Sequence, residues 1–223
     1  MSFKRNITKG LLVLLGGVHW LGGSAQEVEV DFSSVEEPPI PVSVFGGHRV
    51  LSYQHVLNRS LHHTRFSFFN ITVFDAEYGE EPVNRYLISS LFSYRISKRI
   101  AAGIGGEIQR PGAFAIVGLQ YSYASESMLL VLYPSVNLNG NTQYSQLNLF
   151  EFRPILTKNL RGYLRAQVLV GTNFQTIQRG NQQLWLGLQI HGFQFGLAAS
   201  FDQFNDNTIT TKNYGGFLRM LLF

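Results

Sequence analysis

The stretch LRGYLRAQVLVGTNF, residues 160–174, alternates between apolar and polar side chains with a period of two. Leu164 and Val168 fall on one face, while Arg165 and Gln167 fall on the other. This period indicates a β-strand with one apolar face. Such a strand suits either a soluble sheet, whose polar face meets water, or a membrane barrel, whose apolar face meets lipid.

Similar runs follow one another along most of the chain, and most reach the roughly 9–11 residues that a tilted strand needs to cross a bilayer. No run of about 18 apolar residues interrupts them, so helical membrane spans are not predicted. We predict an all-β fold, a membrane-spanning up-and-down antiparallel β-barrel with ten strands. The ten runs are 64–75, 84–97, 100–109, 114–124, 128–138, 142–156, 160–174, 182–190, 193–204 and 211–223.

The connections between these runs support a membrane barrel. KR, SES, TKN and HG are short and alternate with longer segments such as DAEYGEEPVN and TIQRGNQ. Transmembrane barrels show this asymmetry between their two ends. Charged residues make up only 14% of the chain, which is low for a surface that faces water. The rival architecture is a soluble ligand-binding barrel in the periplasm, which would stay in aqueous extract without detergent.

The first 25 residues predict a cleaved secretory signal peptide. Lys4, Arg5 and Lys9 precede the apolar run LLVLLGGVHWLGG, and cleavage after Ala25 would follow a small-residue stretch. Removing these three basic residues lowers the formal charge from +4 to +1. Nucleic acid is therefore not a predicted partner. The chain has no cysteine, which excludes disulfides and thiol chemistry.

Residues 26–63 differ from the rest of the chain. They open with the acidic, proline-rich stretch EVEVDFSSVEEPPIPV and show no clean period over their length. We interpret them as a periplasmic N-terminal linker with little regular structure. A short helix around 53–61 and an added strand near 41–44 are the alternatives.

The end of the sequence resembles that of bacterial outer-membrane β-barrel proteins. Their C-terminal strand ends in an aromatic residue that the assembly machinery recognises, and here GGFLRMLLF ends at Phe223. Residues 64–223 would form the barrel. Arg219 departs from a simple pattern, and we place it inside because arginine at mid-bilayer costs about 2–4 kcal/mol. The resemblance implies a location in the bacterial outer membrane, with lipopolysaccharide and the barrel-assembly machinery as partners.

The interior of the predicted barrel carries a cluster of charges. Pairing across the TKN turn sets Glu151 opposite Arg165, and buried charges must be paired. We interpret the cluster as a structural plug, with a ligand site or an ion path that prefers anions as the alternative. A barrel of ten strands has too narrow an interior for a general porin. The candidate lumen residues are Arg85, Arg95, Glu107, Glu151, Arg153, Arg161, Arg165, Asp202 and Arg219.

Catalytic chemistry finds little support in the sequence. Ten-stranded outer-membrane proteases combine acidic residues with a histidine at the outer rim, and the rim here offers acids such as Asp75 and Glu81. The only histidine after His63 is His191, in a predicted inner turn, and we find none placed at the lipid boundary. No catalytic, cofactor or metal site is predicted. An acidic loop around EYGEEP that chelates divalent cations at a lipopolysaccharide surface is the weaker alternative to a solvated loop.

These observations predict an outer-membrane β-barrel with a structural or interaction role at the cell envelope and no catalytic activity. Its loops or its linker could contact another envelope protein. A small-solute channel with weak anion preference is the first alternative, and an outer-membrane enzyme with an unrecognised site is the second.

Overall fold

The computed structural model describes residues 38–61, 64–80, 82, 84–109, 112–138, 143–174, 177–204 and 209–222. The predicted signal peptide, residues 26–37 of the predicted linker and the terminal Phe223 lie outside these ranges. No helix long and apolar enough to cross a membrane occurs in the described part of the chain.

The described chain is a single antiparallel sheet. Twelve long strands form its wall, and the three-residue β9 pairs only with the start of β10. The strands are β1 Ile40–Gly47, β2 Val50–Ser60, β3 Phe66–Glu77, β4 Arg85–Arg95, β5 Ile100–Gln109, β6 Gly112–Ala124, β7 Met128–Asn137, β8 Tyr144–Phe152, β9 Ile155–Thr157, β10 Leu160–Thr172, β11 Ile177–Ile190, β12 Phe193–Phe204 and β13 Ile209–Leu222.

Pairing between β1 and β13 closes the sheet into a barrel. Their register runs from Ile40 opposite Leu222 to Gly47 opposite Gly215. The other long strands pair with their neighbours in sequence. We call the end of the barrel that carries Ile40 and Leu222 the proximal end, and the opposite end the distal end. The predicted closed antiparallel barrel is confirmed.

The predicted number of ten strands is wrong, because residues 40–60 contribute two more. These residues were predicted to belong to a linker. Instead they form β1 and β2, which lie between β13 and β3 in the sheet. Pro41 and the outward His55 obscure the alternation, but both strands find complete partners. The predicted linker therefore ends before Ile40, and the predicted start of the barrel at residue 64 is two strands too late.

The strands carry apolar residues outward and polar residues inward. On β12, Leu197 is 73% exposed, whereas the alternate residues Gln194 and Ser200 are buried. On β13, Leu218 and Met220 are exposed on either side of the buried Arg219. The distribution inverts that of a water-soluble protein, since large apolar side chains cover the outer wall and amides, hydroxyls and charges fill the lumen.

Glycines let neighbouring strands approach closely at the seam. A Cβ added to Gly215 would lie 1.9 Å from the carbonyl oxygen of Gly46, whereas a Cβ added to Gly46 would meet nothing within 4 Å. We therefore expect Gly215→Ala to lower the free energy of unfolding by about 1–3 kcal/mol, the usual effect of overpacking. Urea unfolding of the refolded barrel measures it, with Gly46→Ala as the matched control, expected to stay within about 0.5 kcal/mol of wild type. Equal effects of the two substitutions would contradict this account of the seam.

Candidate functional site: the lumen

A buried ion pair forms the centre of the lumen. Arg219 on β13 donates a hydrogen bond from Nη1 to Oε1 of Glu151 on β8, at 2.7 Å. The same nitrogen donates to the hydroxyl of Tyr163 on β10, which itself donates to Glu151 Oε1 at 3.4 Å. Arg165 on β10 brings its Nε to 4.0 Å from the same carboxylate oxygen. Glu151 is thus compensated by two arginines and hydrogen-bonded by two groups, as a buried charge requires.

Glutamines extend this network across the lumen. Arg165 donates from Nη2 to Gln167 Oε1 at 2.5 Å and to Gln54 Oε1 at 3.3 Å. Arg219 donates to Gln194 Oε1 at 3.1 Å. Gln54 belongs to β2, so these bonds connect distant parts of the wall through the interior.

Aromatic side chains pack against the charged groups. The rings of Trp185 and Phe217 lie 4.6 Å apart between centroids, and Phe45 and Tyr163 lie beside them at 6.2 and 5.6 Å. The guanidinium of Arg165 lies 4.8 Å from the centre of the Trp185 ring, a cation–π geometry. Side chains from seven strands therefore meet in one buried layer, which we call the central plug. It consists of Phe45, Gln54, Glu151, Tyr163, Arg165, Trp185, Gln194, Phe217 and Arg219.

A second group of charges lies on the distal side of the central plug. Arg179 on β11 brings Nη2 to 3.9 Å from Asp75 Oδ2 and to 3.8 Å from Asp202 Oδ1. Arg85 Nη1 lies 4.0 Å from Asp202 Oδ2, and Asn181 donates to Asp202 Oδ1 at 2.9 Å. These groups border a cavity of about 400 Å³, which we call the distal pocket. Gln167 lines the pocket and accepts a hydrogen bond from Arg165, so the central plug lies directly beside the distal pocket.

The candidate lumen residues divide into three groups. Glu151, Arg165 and Arg219 belong to the central plug, and Arg85, Glu107 and Asp202 lie in or directly behind the distal pocket. The other three lie at the proximal end. Arg95 donates to Ser60 Oγ at 3.1 Å, Arg161 pairs with the exposed Glu126 at 2.6 Å, and Arg153 follows the end of β8.

Sequence reasoning missed several lumen residues because it misplaced their strands. Phe45 and Gln54 fell in the predicted linker, and Arg179 fell in a predicted loop that is the start of β11. Asp75 was assigned to the outer rim, although it lines the distal pocket. The alternation of Gln182–Ile190, continued back toward residue 177, was the available signal for Arg179.

The expectation that no histidine faces the outer wall is wrong at His55. This residue lies on β2 on the same side as the exposed Tyr53, whose hydroxyl is 3.2 Å from its Nδ1. Its Nε2 is 3.2 Å from Oδ1 of Asn70, and Asn70 donates from Nδ2 to Ser90 Oγ at 2.8 Å. Both ring nitrogens are therefore engaged with neighbouring side chains, which is how a polar group is accommodated on an apolar wall.

Comparison with known proteins gives similarity of structure only. No protein-family model and no curated protein matches the sequence. Among solved structures, the NanC porin aligns with a TM-score of 0.46 and 5% identity, covering 83% of this chain and 100% of that one. The KdgM porin in complex with disordered oligogalacturonate gives 0.46 and 6%, over 82% and 99%. LpxR from Salmonella typhimurium gives 0.46 and 8%, over 82% and 100%. At these values the likeness says nothing of what this chain binds or does.

Proposed function

We propose that the protein is an outer-membrane β-barrel whose lumen is closed, and that it serves the cell envelope as a structural or interaction component without catalytic activity. The central plug is the observation that carries this proposal. Its charged and aromatic side chains are buried against one another and tie β1, β2, β8 and β10–β13 together. Opening a path for solutes would separate ion pairs that are buried in the lumen.

The outer wall supports the membrane location. Large apolar residues of β12 and β13 are exposed along their outward faces, including Phe195, Leu197 and Leu218. In water this surface would be an aggregation hazard, whereas in a bilayer it meets hydrocarbon.

We infer that the proximal end faces the periplasm. The two longest connections without a strand, 78–84 and 138–143, separate strands at the distal end, although 48–49 and 110–111 there are as short as 191–192 at the proximal end. This is the usual asymmetry of transmembrane barrels, with short turns on the periplasmic side. On this orientation, lipopolysaccharide surrounds the distal half of the wall, the assembly machinery would take the C-terminal strand, and an envelope partner would meet the loops.

Single-channel recording in planar bilayers tests the closed lumen. We expect no stable openings from the wild-type protein, since the side chains of the central plug are buried against one another inside the barrel. The double variant Arg165→Ala/Trp185→Ala removes the stacked pair and keeps the Arg219–Glu151 pair, so it should produce openings. Heat-modifiable migration on gels checks that both proteins are folded. Stable wild-type openings whose selectivity changes on Arg165→Glu would instead support the anion-channel alternative.

A further inference from the structure

The distal pocket contains one carboxylate that has no ion pair of its own among the described residues. Two arginines, Arg85 and Arg179, are engaged with Asp75 and Asp202 at 3.8–4.0 Å. The third acid, Glu107 on β5, has no hydrogen bond or ion pair with any residue that the structure describes. It lies on the lumen side of the wall, opposite the buried Ser89.

Other polar atoms of the same pocket also lack a partner. The hydroxyl of Tyr133 and the Oε1 of Gln183 are buried without a hydrogen bond to the described part of the protein. Both residues line the cavity with Glu107. Carboxylate, amide oxygen and hydroxyl can all accept hydrogen bonds, so the unmet groups call for a ligand that donates.

The pocket wall offers a second contact that suits a cation. Phe69 and Tyr133 lie with their ring centroids 6.5 Å apart and both line the cavity. Aromatic faces attract ammonium groups, most strongly where water is excluded. A cavity of about 400 Å³ is of the size that holds a small organic molecule.

We propose that the distal pocket binds a small organic cation that carries a primary ammonium group, with Glu107 as its counter-charge. The ammonium donates to Glu107 and to the Tyr133 and Gln183 oxygens, while the arginines keep Asp75 and Asp202 neutralised. Three acids against two arginines give the surroundings of the pocket a net negative charge, which concentrates cations and repels anions. This goes beyond the proposed function and does not rest on a closed lumen.

Isothermal titration calorimetry on the full detergent-solubilised barrel tests the proposal, with putrescine as the probe. We expect saturable binding of putrescine and none of 1,4-butanediol or succinate, which have its length but lack the positive charge. Glu107→Gln, which keeps the shape of the side chain, should weaken binding at least tenfold. Glu126→Gln, at the exposed ion pair of the proximal end, is the matched control and should leave it unchanged.

A second variant guards against misfolding of the first. Tyr133→Phe should weaken putrescine binding by a smaller factor, because it removes one acceptor and keeps the ring. No saturable binding of putrescine, equal binding by Glu107→Gln, or equal binding of 1,4-butanediol would each overturn the proposal. Saturable binding of Mg²⁺ in place of the amine would overturn it as well. Conductance is measured separately, so failure here is distinguishable from failure of the closed barrel.

Discussion

Replacing Arg219 by methionine is expected to lower the free energy of unfolding by about 3–5 kcal/mol. Methionine retains much of the length of the side chain, but it leaves the buried Glu151 with only the longer contacts to Arg165, at 4.0 Å, and to the Tyr163 hydroxyl, at 3.4 Å. Urea unfolding of the barrel in lipid vesicles measures the effect. Trp185 reports on it directly, because it is the only tryptophan of residues 26–223 and packs within the central plug.

The chain supplies a control of matched geometry. The Arg161–Glu126 pair has an N–O distance of 2.6 Å, close to the 2.7 Å of Arg219–Glu151, but its side chains are 30% and 73% exposed. Arg161→Met should therefore cost less than about 1 kcal/mol. Adding Glu151→Gln to Arg219→Met should not recover the loss, because it leaves the buried Arg165 without its carboxylate. Similar costs for Arg219→Met and Arg161→Met would show that burial of the pair has little effect.

Leu197→Arg is expected to make the free energy of folding into a bilayer less favourable by about 2–4 kcal/mol. Leu197 is 73% exposed and pairs with the outward Leu186 on β11. In a bilayer its replacement would place a guanidinium in hydrocarbon. Vesicle refolding followed by the fluorescence of Trp185 measures the change.

The cost should depend on depth. Phe193 begins β12 next to the 191–192 turn and is 51% exposed, so Phe193→Arg should cost about 0–1 kcal/mol, as at a membrane interface. In a barrel that faces water, both substitutions would be nearly neutral. Retention of both variants in detergent-free aqueous extract would contradict the membrane location.

Alternation and turn length were enough to predict the local architecture of several hairpins. The pairing of Arg165 with Glu151 and of Gln189 with Gln194 follows from the short connections between their strands, and the structure has both. A shift of one residue would turn the apolar face of either strand inward, so the register is strongly determined.

The same reasoning could not find β1 and β2, for a physical reason. In β2 the outward face includes His55, and the inward face includes the buried Val50, so hydrophobicity does not separate the two faces. These strands are held by their neighbours: β1 lies between β2 and β13, and His55 bonds to Asn70 of β3. Such tertiary support leaves no local periodic signal.

The charged residues that face the lumen could be predicted from the sequence, but the pairs that they form could not. Inward arginines and acids could be identified strand by strand, yet the partner of Glu151 at the shortest distance is Arg219, from the far end of the sequence. That contact depends on closure of the sheet. A count of strand charges predicted preference for anions, whereas the distal pocket leaves the carboxylate of Glu107 without an arginine of its own.

Closure between β1 and β13 has a consequence for how the molecule is made. Each remaining long strand can add to a hairpin as soon as its neighbour exists, but the seam joins segments separated by most of the polypeptide. Until β1 and β13 pair, the sheet has two edge strands with unpaired backbone amides and carbonyls. Neither edge is stable in hydrocarbon. In a bilayer we therefore expect the seam to close last, in a single slow encounter between segments that are far apart in sequence.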